Sequence, residues 1–156
     1  MPTEHPSGLQ KLHREHEAAL VLVERITALA DEGTDASRAE GVRLVREYYE
    51  RELEGHLQHE EQTLFAPLLQ HDKANFPLCM RLGKEHGLLR SIATGIRAET
   101  AADDLAVFAR VLKEHTVFEE EEFLPLVASL LTPEQIDTVT NFTPLPTNPA
   151  VGVTER

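Results

Sequence analysis

The segment HTVFEEEEFLPL, His115–Leu126, decides how this chain is read. Thr116, Val117, Phe118, Phe123 and Leu124 mark it as partly buried, yet four glutamates, Glu119 to Glu122, occupy its middle. Adjacent carboxylates repel one another and lose hydration when buried, so the segment makes sense only if its faces divide. On a helix turning about 100° per residue, Glu119 lies about 40° round from His115 and Glu122 about 20°. Glu120 and Glu121 then fall on the solvent side. The expectation is an inward pair and an outward pair, with Glu122 placed to orient a histidine or a metal-bound water.

The same design occurs earlier, in HLQHEEQTLFAPL, His56–Leu68. Both segments read H-x-x-x-E-E, then an apolar pair, then proline. Here Glu60 and Thr63 share the inward stripe with His56, His59 sits on its border and Glu61 points away. A second repeat joins Leu12–His16 to Leu82–His86, both L-x-x-E-H. The chain is thus two helical hairpins of one design, each carrying a lone histidine and then an H-x-x-x-E.

The rest of the chain is helical in pattern, with no sustained strand alternation. Ser7 is placed to cap a first helix with Leu9, Leu12, Leu20, Val23, Ile26 and Leu29 inward, ending in the loop DEGTDAS. A second runs from about Ser37 to Gln70, bent or tightened near Pro67. A third opens at Asn75 and Pro77 and runs to about Thr100. A fourth spans about Asp103 to Leu131. Thr132 and Gln135 form a capping box that starts a short fifth helix. The fold class expected is all-α, an up-down-up-down four-helix bundle over residues 1–141 with an extended or disordered tail over 142–156.

A bundle core is ordinarily Leu, Ile, Val and Ala. Here four helices each point an imidazole at the axis, and two add a carboxylate one turn on. Taken singly, a core histidine or an i,i+4 pair is an ordinary feature of helices. The duplicated order on four helices is not. Salt bridges would compensate the carboxylates, but Arg90 is the main basic residue on these stripes. A multivalent cation pairs all six groups at once, since imidazole and carboxylate both offer lone pairs. With two oxygens each, Glu60 and Glu119 can touch two ions.

At these residues the chain resembles the hemerythrin-like, HHE cation-binding family, over about Leu9 to Leu131. The resemblance implies a four-helix bundle around two non-haem iron ions, with zinc or manganese as substitutes. Its metal ligands would be His16, His56, Glu60, His86, His115 and Glu119, the two glutamates bridging. It also implies a dioxygen, nitric oxide or peroxide partner. Oxygen-carrying hemerythrins have a second histidine one turn after His86, where this chain has Arg90, and aspartate where it has Glu119. His13 and His59 are candidates for a fifth imidazole, and His5 and His71 are expected in solvent. The function implied is dioxygen binding for storage or sensing. Alternatives are an enzyme that reduces nitric oxide or peroxide, an iron donor for iron–sulfur cluster repair, or an iron-sensing protein.

Composition narrows the field. The 156 residues carry a net charge of −12, which repels phosphate backbones and anionic lipid, so neither nucleic acid nor membrane is an expected partner. Cys79 is the single cysteine, which excludes an intrachain disulfide framework and any Cys-based cluster. With no signal-peptide pattern in MPTEHPSG, the expected location is cytoplasmic. Rival motifs fail: a zincin needs H-E-x-x-H, and His59-Glu60-Glu61-Gln62 is followed by Thr63. A ferritin-like site uses Glu-x-x-His, the reverse order at shorter spacing.

Overall fold

The computed structural model describes residues 7–147; nearly all are helical, with no strand among the described residues. Five helical runs follow one another. The first is α1, Ser7–Glu32. In the second, α2 (Asp35–Tyr48) passes through a π turn at Tyr49–Leu53 into α3 (Glu54–Thr63), and Leu64 separates this from α4 (Phe65–His71). The third is α5, Phe76–Gly95. The fourth joins α6 (Ala101–Phe118) through a π turn at Glu119–Phe123 to α7 (Leu124–Leu130). The fifth is α8, Pro133–Asn141.

Local chemistry sets these ends. Gly33 takes φ +67°, which closes α1 at little steric cost. Thr34 then caps α2 by accepting from the Ser37 N–H at 2.9 Å, while the Ser37 hydroxyl accepts from the Thr34 N–H at 3.0 Å. This reciprocal box starts the helix at Asp35 rather than Ser37. The anticipated box at Thr132 and Gln135 is present. α5 stops at Gly95, short of Thr100, because Ile96 turns extended and its carbonyl accepts from Arg46. Pro67 cannot donate to the Thr63 carbonyl and crowds it, and the helix breaks there, at Leu64 with φ −114°. Pro125 stands likewise four residues after Glu121, within the second π turn. The π turn at Tyr49–Leu53 contains no proline, and we have no physical account of it.

Two apolar clusters form the core. Ala19, Val23, Val45, Leu53, Leu89, Ala93, Leu105 and Phe108 belong to one. Leu9, Leu12, Leu64, Leu68, Cys79, Leu82, Phe123 and Val127 belong to the other. Between them each of the first four runs carries its buried polar groups. α1 passes from the second cluster to the first; the next run passes the opposite way, α5 as α1, and the fourth run reverses again. α1 packs on α2, α6 and α8, and α5 on α6. Among the described residues no helix is long and apolar enough to cross a membrane.

Two glycines in these helices have opposite reasons. A Cβ on Gly41 would lie 2.6 Å from Leu105 Cδ1, whereas one on Gly83 would meet nothing within 4 Å. Gly41→Ala should lower stability by about 1–3 kcal/mol through overpacking. Gly83→Ala should raise it by about 0.5–1 kcal/mol through helix propensity. Urea unfolding of the two variants checks the signs; equal shifts would show that Gly41 does not mark a close approach.

Candidate metal centre

The buried polar layer between the two clusters brings together all six residues singled out by spacing. α1 supplies His16, α3 supplies His56 and Glu60, α5 supplies His86, and α6 supplies His115 one turn before Glu119. Glu60, Glu119 and His86 are 0% exposed, and His16, His56 and His115 no more than 6%. One donor atom from each forms two groups, His16–His56–Glu60–Glu119 and Glu60–His86–His115–Glu119, with members within 4.8 Å of one another. The two glutamates belong to both.

The inner atoms lack what buried polar atoms normally have. Both oxygens of Glu60, Oε2 of Glu119, and Nε2 of His86 and His115 are buried without a hydrogen-bond partner. Leaving such atoms unsatisfied costs about 1–3 kcal/mol each, more for a charge. They are nevertheless close: His56 Nε2 lies 3.0 Å from Glu60 Oε2, His86 Nε2 3.1 Å from Glu60 Oε1, and His115 Nε2 3.1 Å from Glu119 Oε2. Two donors about 2.1 Å from one cation, at right angles to each other, lie about 3 Å apart. The donor set and its spacing fit transition-metal cations, and five orphaned atoms point at where they would sit.

The outer nitrogens are all satisfied, in one repeated way. Nδ1 of His16 pairs with Glu120 at 2.6 Å, Nδ1 of His56 with Glu15 at 2.8 Å, Nδ1 of His86 with Glu61 at 2.7 Å, and Nδ1 of His115 with Glu85 at 2.7 Å. All four carboxyls are held below the ordinary range: burial pushes each up, but its imidazole partner and a second basic neighbour (His13, Lys11, Arg90 or Arg81) together outweigh burial. An ionised carboxylate only accepts, so Nδ1 carries the proton in each pair and Nε2 faces inward. Carboxylates behind metal-binding imidazoles fix ring and tautomer in this manner.

Three expectations are corrected here. Glu61 does not point away, and Glu120 is not on the solvent side; each reaches the histidine of a neighbouring helix. Glu122 is exposed and orients nothing in the layer. Glu61 makes its contact from regular α3 and Glu120 from the π turn, so reach across the helix interface is the common cause; the wider turn, which rotates each residue less, carries Glu122 off the axis. Glu15 and Glu85 were present in the repeated E-H pair, but their targets lie across the helix interface.

The remaining candidates also fall into place. Neither extra histidine joins the two groups. His13 Nδ1 pairs with Glu120 at 2.7 Å. His59 donates Nε2–H to the Val139 carbonyl at 2.6 Å and stacks on Phe142, facing α8. Arg90 does not face the inner layer; its guanidinium spans Glu54 and Glu61. His71 is exposed, and His5 lies outside the described residues.

A family model for the hemerythrin HHE cation-binding domain matches residues 7–127. No curated protein and no solved structure matches the chain.

Without a cation, protons hold the layer together. Burial pushes the His16 imidazole down, but Glu119, Glu120 and Glu60 outweigh it and lift it to about 10. Burial and Glu119 push Glu60 up, yet His56 and His16 bring it down to about 2. Burial also raises Glu119, while His115, His16 and His56 hold it well below the usual value. Lowered carboxyls stabilise the fold above their ordinary 4.5 and stop doing so as pH falls toward 2. Raised imidazoles stabilise it below their ordinary 6.5 and stop as pH rises through about 10. The urea midpoint of the metal-free chain should therefore peak between these ordinary values and fall on the alkaline side, where added divalent metal should restore it. A metal-free midpoint that rises with alkalinity would contradict the proton network.

Proposed function

The chain belongs to the hemerythrin HHE cation-binding family, and from that premise we propose that it binds two iron ions and, at them, reversibly takes up dioxygen or a related small ligand. Storage or sensing of that ligand is the role this reading assigns. The ions would be held by His16, His56, Glu60, His86, His115 and Glu119, the two glutamates being the donors common to both groups. The four runs around them form an up-down-up-down bundle, supported by the reversal of apolar clusters from each run to the next.

The observation that carries the reading is the pair of four-residue donor groups sharing Glu60 and Glu119. Each ion would have four protein donors, so positions are left for an external ligand. The chain's own residues do the rest. Outer carboxylates keep Nε2 of each imidazole directed inward. His16 Nε2, now bonded to Glu119 Oε1 at 2.7 Å, gives up its proton when a cation enters. Apolar side chains on either side, Leu12 and Leu82 below and Ala19 and Leu89 above, exclude water and slow loss of a bound molecule. Ferrous ions held there would supply one electron each to dioxygen.

An enzymatic reading would need a cation such as Arg90 to face the layer and hold an anionic ligand there. That guanidinium is engaged by two carboxylates outside the layer, so the binding reading stands first. The test is optical. Reduced, iron-loaded protein exposed to air should gain a visible charge-transfer band that disappears under vacuum. Glu119→Ala should abolish the band, and Glu121→Ala, at an exposed position, should leave it intact. Prompt irreversible oxidation without a band would overturn reversible binding, and steady turnover of nitric oxide or peroxide would replace it with catalysis.

A further inference from the structure

The four outer carboxylates are not held equally. Behind Glu61 stands Arg90, which donates Nη1–H to Oε2 at 2.8 Å and Nη2–H to Oε1 at 3.0 Å. Its other edge grips Glu54 at 2.7 and 3.1 Å, and Glu54 is tied to the Tyr49 hydroxyl and the Gln58 amide. Behind Glu85 stands Arg81, donating Nε–H at 3.0 Å with its guanidinium 3.6 Å over the Phe118 ring. On the other side, Glu15 is backed by the Lys11 ammonium and Glu120 by the His13 ring, neither of which offers a guanidinium. A planar guanidinium fork is pre-organised, whereas an ammonium on a flexible stem is a mobile point charge.

The inner atoms differ in the same sense. Nε2 of His86 and of His115 is unpartnered, while Nε2 of His16 already bonds Glu119. A cation entering beside His16 must break a hydrogen bond that one entering beside His86 does not meet. His86 is further steadied by Phe65, its ring 5.7 Å away and 24° from parallel. Both differences favour one half of the layer, and they arise from separate atoms.

We propose that the two cation positions are unequal, that the one between His86, His115, Glu60 and Glu119 fills first and empties last, and that Arg81 and Arg90 are the positioning residues responsible. This rests on the two-cation reading of the layer. Arg90 acts through Glu61 on the orientation of His86, and Arg81 through Glu85 on that of His115. Neither reaches the inner atoms. The His16 and His56 position is the exchangeable one, where metal leaves or arrives during loading.

The test uses the full chain, stripped by chelator and titrated with cobalt(II) alone. Binding should occur in two steps, and crystals grown with substoichiometric cobalt should show the anomalous signal beside His86 and His115. Arg90→Gln should weaken the first step by about 10- to 100-fold, with the helical circular dichroism of the metal-free chain unchanged. Arg90→Lys should restore only part of this, since it returns charge without the fork. His13→Gln should weaken the second step alone. A first cobalt beside His16 and His56, cobalt divided evenly between the two, or an unchanged first step in a folded Arg90→Gln chain would overturn the inequality. No cobalt bound at all would overturn the two-cation reading, and the inequality with it. The anomalous result on the unsubstituted chain decides the matter even if the variants fail to fold.

Discussion

Two glutamates with no solvent exposure, Glu60 and Glu119, share one small space in the interior, and the rest of the structure answers the problem they pose. Ionised carboxylates removed from water cost several kcal/mol apiece unless positive charge stands beside them. Four imidazoles converge on them, and in the metal-free chain protons supply the charge. Protons do so incompletely, because most of the inner oxygens and two inner nitrogens still lack hydrogen bonds. Multivalent cations would satisfy carboxylates and imidazoles together, which makes the polar layer a binding centre rather than a packing defect.

The apolar clusters and the polar layer depend on one another. Side chains such as Leu12, Leu82, Leu89 and Phe108 are fully buried on either side; they lower the local dielectric and so strengthen every charge interaction between them. They also hold the four helices close enough for a glutamate on one to reach a histidine on the next. Each histidine is therefore anchored at Nδ1 by a carboxylate from a neighbouring run, with Glu60 or Glu119 close to its Nε2. Ordering the layer ties the helices to one another, so occupancy of the centre and stability of the fold are linked.

Much of this was legible in sequence, and what was missed has physical causes. The H-x-x-x-E spacing places His56 with Glu60 and His115 with Glu119 by helix geometry alone, and the lone His16 and His86 follow from the repeat. Glu122 was misplaced because a helical wheel assumes uninterrupted α-helix, while this residue sits in a π turn. A wheel also describes one helix at a time, and Glu15, Glu61 and Glu85 act across an interface. His59 turned out to face α8, a short helix whose docking site leaves no periodic signal in α3. Arg90, expected on the inward stripe, instead turns its guanidinium to Glu54 and Glu61 on the neighbouring run.

The central claim is that cations complete this interior. Elemental analysis of protein from iron-supplied cells, after extensive dialysis, tests it most directly. The account predicts about two metal ions per folded chain, one for each four-donor group. A folded, fully helical chain that retains essentially no metal under those conditions would contradict it.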